Sequence, residues 1–192
     1  VLVIISSALL LMTADSLPAP LGRIQVPWWM LAAGFAVTEV FVLDVGRSGN
    51  ERWLSLSEVP LVIGLVFSTP ATIVAAQALG VAAVLVLYRR QKPLRCAFNV
   101  AQRAAATLVA VFVFVPIVHV GGSTWPIIWL AGFAATLSAD IVAGILTNAA
   151  IALSESARMR FDHVVGMGTA LTFAKTGLAL VVVMVMTQYP AG

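Results

Sequence analysis

Apolar residues run along this chain in unbroken blocks, not at the alternate or 3.6-residue spacings of half-buried strands and surface helices. Such blocks, parted by short Pro-, Gly- and charge-bearing breaks, predict helices surrounded by apolar material, and a helix that crosses a bilayer needs about 20 such residues. The breaks mark spans near residues 1–14, 27–45, 71–88, 96–118, 125–153 and 164–187. Between the second and third lies an awkward stretch. Residues 54–70, LSLSEVPLVIGLVFSTP, are bounded by Glu58, Pro60 and Pro70, and are short for a span yet too apolar for a loop. Ser57 is a suitable N-cap and Pro60 is tolerated in a first turn. The stretch therefore reads as a short or broken membrane helix joined tightly to the next at Thr69 and Pro70, with an interfacial helix as the alternative. The expected fold is an all-α, polytopic membrane bundle of about seven segments, a single transmembrane domain over residues 1–192. Because Val1 lies inside an apolar run with neither Met nor a basic n-region before it, that run is expected to be a truncated span in a piece of a longer protein, not a signal peptide.

Composition narrows the class. The chain is 61% hydrophobic and 10% charged, with a mean hydropathy of +1.03, whereas soluble domains are about half apolar and about a quarter charged. Eight acids and eleven Lys or Arg cannot clothe a water-facing surface, which excludes soluble enzymes, nucleic-acid binders and disordered linkers. The net charge of +3 reflects basic loops on one membrane side, so no nucleic-acid partner is expected. Cys96 stands alone and cannot form an internal disulfide.

Charge placement orients the segments, because cytoplasmic loops are rich in Lys and Arg. Counting the short segment as a membrane pass puts Arg47, Arg52, Arg89, Arg90, Lys92, Arg95, Arg158 and Arg160 on one side and only Arg23 on the other. Omitting it weakens the asymmetry. The expected location is thus the inner (plasma) membrane, multi-pass, with a cytoplasmic N-terminus and Gly192 outside. Trp28, Trp29, Trp125 and Trp129 then fall at outer helix ends and Trp53 at the inner interface, where amphipathic rings favour the headgroup layer. Small residues at helical spacing, Ala97, Ala101 and Ala105, and Ala76 with Gly80, favour close helix packing.

Charges inside hydrocarbon are costly and are usually paired or turned toward a cavity. Asn99, Gln102 and Arg103 fall on one helix face, with Arg103 about 10 Å from the inner end. Glu58 enters its helix from that same side, so Glu58 and Arg103 are expected partners. Asp140 and Lys175 both come out near the midplane and are expected to pair, each on a stripe of small and polar residues: Thr136, Ala143, Gly144 and Thr147 for Asp140, and Gly168, Thr172, Thr176 and Ala179 for Lys175. Glu39, placed near the middle of the second span, is the surplus acid and is expected to be protonated or to face a water-filled pocket. Asn148 and Gln77 add hydrogen-bonding capacity. A polar pocket of Glu39, Glu58, Asn99, Gln102, Arg103, Asp140, Asn148 and Lys175 is one reading; structural pairs that fix the bundle are the other. His119 and His163 lie in loops on opposite sides, and neither they nor the methionines are assigned a metal. No catalytic residue, metal or cofactor is expected in the chain, since no His–carboxylate cluster, activated nucleophile or phosphate-cradling glycine loop is evident.

The run SLSEVPLVIGLVFSTP, the ALG at 78–80 and LYRRQKPLRCAFNVAQRA through residue 104 resemble the amino-terminal membrane region of bacterial, especially actinobacterial, GGDEF and EAL signalling proteins, a type of region that also precedes HD-type phosphodiesterase domains. The resembling features are Glu58 and Pro60 at the start of a short helix, a basic hairpin from Arg89 to Pro93, and then Phe98, Asn99 and Gln102; the match is specific over about fifty residues and architectural elsewhere. The resemblance implies a sensory or anchoring module for a cytoplasmic enzyme that makes or breaks cyclic di-GMP, beyond Gly192, with partners in membrane lipid, a small polar ligand and a second copy through the full-length protein. A cytoplasmic output domain would require one further span after Gly192, or one fewer before it. The competing expectations are a small-molecule carrier, similar to the substrate-binding subunit of a vitamin transporter, and a passive anchor.

Overall fold

The computed structural model describes residues 26–41, 43–44, 53–54, 56–155 and 166–188. The expected first span, and with it Arg23, Arg47, Arg52, Arg158, Arg160 and His163, lies outside the described residues. Six helices carry the described chain: α1 (Trp28–Val40), α2 (Glu58–Phe67), α3 (Pro70–Ala83), α4 (Pro93–Gly121), α5 (Trp125–Glu155) and α6 (Gly166–Gln188). A two-residue antiparallel ladder pairs β1 (Leu43–Asp44) with β2 (Trp53–Leu54) between the first two helices. The fold is otherwise all-helical, and three of its helical stretches, Pro70–Tyr88, Pro93–Gly121 and Trp125–Ala150, are long and apolar enough to cross a membrane.

Local chemistry sets the helix ends. Thr69 caps α3 by accepting a hydrogen bond from the Thr72 N–H at 3.4 Å, with Pro70 at the first helical position, where a missing N–H costs nothing. At its other end α3 widens into a π-helical turn, Val84–Tyr88, closed by the Arg89 N–H on the Val84 carbonyl at 2.9 Å. Pro93 opens α4, and Gly122, at φ +82°, closes it, a left-handed position that favours glycine. Only residues 122–124 separate α4 from α5, so the two pack antiparallel along much of their length.

The bundle is two helix pairs around a strut. α1 lies along α3, α4 lies along α5, and α3 packs directly on α4; α2 touches all four and packs most extensively on α6, which also packs on α5. The approach of α1 to α3 is set by Gly80: a Cβ there would lie 2.4 Å from the Ala32 carbonyl oxygen, so any larger residue must push the helices apart. α2 is ten residues long, about 15 Å at 1.5 Å per residue, half of a bilayer's roughly 30 Å hydrocarbon core. Glu58, Pro60, Val62, Leu65 and Phe67 are all buried on it. Its apolar character therefore reflects burial among the other helices. Phe35, Ile73, Leu108 and Leu180 fill the surrounding core.

Two boundaries differ from the sequence reading in ways that move charges. α1 ends at Val40 rather than near residue 45, which puts Glu39 in a final helical turn instead of mid-span. α2 runs antiparallel to α1: the Ser68 hydroxyl donates to the Val26 carbonyl at 3.4 Å, while Pro60 packs over Gly34. That register sets Glu58 about one helical turn farther than Glu39 from the end of the bundle that carries Arg89.

Candidate functional site

The polar residues of the interior fall into two groups. The first surrounds a half-open cavity of about 370 Å³ at the Arg89 end, between the α1/α3 pair and the α4/α5 pair. α1 contributes Glu39, α3 contributes Val81, and the π-helical turn contributes Leu85 with Arg89 just beyond it; α4 contributes Asn99, Gln102 and Arg103; α5 contributes Ala143, Gly144 and Thr147. Ala143 and Gly144 leave the space that larger residues would fill.

Glu39 sits between two guanidinium groups. Arg89 Nη1 lies 3.6 Å from Glu39 Oε1, and Arg103 Nη2 lies 3.7 Å from Oε2. Arg89 Nη2 also donates to the Glu39 backbone carbonyl at 2.8 Å, satisfying a carbonyl that the end of α1 leaves without a helical partner. Arg89 directly follows the π-helical turn, and the chain leaves the helix at Arg90, whose φ is +47°.

The amides tie the cavity wall together. Gln102 Nε2 donates to the Ala143 carbonyl at 2.7 Å and to the Thr147 hydroxyl at 2.5 Å, linking α4 to α5. Asn99 Nδ2 donates to Gln91 Oε1 at 3.0 Å, fastening the α3–α4 connection onto α4. Asn148 plays no part in this wall: its amide donates to the carbonyl of Gly144 on its own helix at 3.0 Å.

The second group is closed. Glu58 on α2 accepts a hydrogen bond from Lys175 on α6, and Asp140 on α5 accepts one from Thr172 on α6. Glu58 is 4% exposed, and its second oxygen, Oε2, has no hydrogen-bond partner among the described residues. One turn along α6 and α5, the Thr136 and Thr176 hydroxyls meet at 2.9 Å, both fully buried.

The expected partners are therefore exchanged. Glu58 pairs with Lys175 rather than Arg103, and Arg103 approaches Glu39 rather than Glu58. Asp140 bonds Thr172 rather than Lys175, and Glu39, the expected surplus acid, has two cations beside it. The physical reason is the register of α2. Its packing is more extensive with α6 than with α4, and its first residue begins part-way along the bundle. Of the expected pocket residues, Glu39, Asn99, Gln102 and Arg103 line the cavity, whereas Glu58, Asp140 and Lys175 belong to the closed group. The Asp140 stripe divides in the same manner: Ala143, Gly144 and Thr147 face the cavity, and Thr136 faces α6.

The sequence places Arg89 and Gln91 in a loop, and the structure brings Arg89 into the cavity wall and Gln91 against the wall residue Asn99. The available signal was that Arg89 directly follows the apolar run VLVLY, where a basic residue at a helix end can serve neighbouring carbonyls. No family model, curated protein or solved structure matches the chain.

Proposed function

We propose that the protein is a membrane-embedded sensory and transducing domain, in which occupancy of the cavity at the Arg89 end sets the packing of two helix pairs and so the activity of an attached cytoplasmic cyclic di-GMP enzyme. The observation that carries this reading is the position of the cavity. Its walls come from both pairs, and the charge contact of Glu39 on α1 with Arg103 on α4, at 3.7 Å, runs from one pair to the other. A ligand that prefers one separation of the pairs would shift the population of that arrangement. The resemblance of residues 54–103 to the membrane regions of GGDEF and EAL proteins supplies the output. In this reading the chain crosses the bacterial inner membrane in about seven segments, with the basic 89–95 connection cytoplasmic.

A carrier is the second reading, favoured by the ten-residue α2 and its buried charge, since short, Pro-bearing membrane helices accompany transport sites. Two experiments separate these readings. Gly144→Leu fills the cavity and, in the full-length protein, is expected to change cyclic di-GMP synthesis or breakdown while leaving the fold intact; unchanged activity contradicts the sensor reading. For topology, a cysteine at Ser123 in a Cys96→Ala background should react with an impermeant reagent on intact cells. Reaction only after lysis contradicts the orientation.

A further inference from the structure

The lining of the cavity is short of negative charge. Arg89 enters it just beyond the π-helical turn and Arg103 from α4, and Glu39 is the sole acid among the described residues of its wall. Each guanidinium stands 3.6 or 3.7 Å from a Glu39 oxygen, well beyond the roughly 2.7–2.9 Å of a charge-assisted hydrogen bond. The carboxylate is thus between the two forks without being hydrogen-bonded by either through these contacts. Farther out, Arg90, Lys92 and Arg95 are exposed along the connection and the first turn of α4. A partly apolar mouth lined with one sign of charge concentrates ions of the other sign.

We propose that this cavity is a phosphate-binding site, in which Arg89 and Arg103 hold the phosphate of a ligand and Glu39 is the internal anion that the ligand displaces. The inference rests on the cavity being the ligand site of the proposed sensor and adds the ligand's chemical class. Planar guanidinium forks match phosphate oxygens in pairs, as a carboxylate placed at longer range does not. The two forks converge on the span of one carboxylate, a separation that a tetrahedral oxyanion can bridge with a different oxygen for each. On the same wall stand Asn99, whose amide has a second N–H beyond the one given to Gln91, and Gln102, whose amide oxygen can accept from a hydroxyl on the rest of the molecule. A volume of about 370 Å³ falls near the lower end of the roughly 300–1,000 Å³ usual for small-ligand sites, so the phosphate carries a small substituent or is the headgroup of a lipid whose chains remain outside.

The test is calorimetric titration of the full chain, purified in a neutral detergent, with inorganic phosphate against chloride at matched ionic strength. The wild type should bind phosphate, and Arg89→Gln and Arg103→Gln should each weaken binding about tenfold or more, the loss of one hydrogen-bonded charge. Glu39→Gln should tighten it several-fold by removing the competitor, and Lys92→Gln, outside the cavity, should stay within about twofold. A short-chain phosphatidic acid that competes with phosphate at micromolar concentration assigns the site to a lipid headgroup; competition only by soluble phosphate esters assigns it to a free metabolite. The proposal is overturned if phosphate does not bind, if binding survives both arginine substitutions, or if Glu39→Gln weakens it. Should Gly144→Leu still alter output activity in that case, the sensor reading stands and the phosphate assignment alone falls.

Discussion

The Glu39 and Glu58 regions contain the same ingredients and use them differently. Each has a buried carboxylate on a short helix, basic partners on neighbouring elements, and amides or hydroxyls nearby. Around Glu58 everything is closed: the carboxylate side chain is 5% exposed, Lys175 is 12% exposed, and the two are directly hydrogen-bonded. Around Glu39 the partners are about a third exposed, the ion-pair distances are long, and a cavity opens beside them. The contrast follows from the helices. α2 touches all five other helices and buries eight of its ten residues, whereas α1 ends at Val40, level with the α3–α4 connection. The closed group holds α2, α5 and α6 in register, and the open group is free to exchange one anion for another.

The largest effect should come from breaking the closed group. Removing one member of a buried pair leaves the other charge uncompensated, typically at about 3–5 kcal/mol. Lys175→Met should therefore unfold the protein at markedly lower denaturant in detergent micelles, and adding Glu58→Gln should recover much of the loss. Strict additivity of the two substitutions would show that the residues do not interact directly. Next comes the α1–α3 contact. Gly80→Ala places a Cβ against the Ala32 carbonyl and should cost about 1–3 kcal/mol by overpacking. Wild-type stability in the same unfolding assay would mean the helices accommodate the methyl freely.

Smaller effects sharpen the contrast. Thr176→Val removes a hydroxyl pair beside the closed group and should cost about 0.6 kcal/mol, and no more than about 1.7, the range of interhelical hydrogen bonds in membranes. Glu39→Gln should have the least effect on stability, at most about 1 kcal/mol, because its partners are partly solvated. Its consequence should appear in ligand binding instead. A loss of 3 kcal/mol or more in an equilibrium unfolding measurement would place Glu39 in the same structural class as Glu58 and erase the distinction.

What the sequence revealed and what it concealed have separate physical origins. Pro70, Pro93 and the glycines at 121 and 122 punctuate the chain by backbone chemistry, so the ends of α3, α4 and α5 were legible to within a few residues. The shortness of the Glu58 segment was legible for the same reason. The end of α1 was not, because FVLDV after Val40 continues the apolar pattern although the helix stops. Pairing of charges was harder still. Asn99, Gln102 and Arg103 could be placed on one face by helical spacing, but which acid meets Arg103 depends on how far α2 is inset and on which helix it packs against, and neither is encoded in one chain's periodicity. The contact of Arg89 with Glu39, made just beyond the π-helical turn, has no sequence marker, and periodicity places Arg89 only in the basic loop.

The division between an open and a closed polar group is tested most directly by cysteine accessibility in a Cys96→Ala background. Thr147 lies in the cavity wall and Thr176 is fully buried beside the closed group. With a water-soluble thiol reagent applied to the protein in membrane vesicles open at the Arg89 end, a cysteine at position 147 should react readily and be slowed by inorganic phosphate, and one at 176 should not react until the protein is unfolded. Equal reactivity at the two positions, or reaction at 176 alone, would contradict the account.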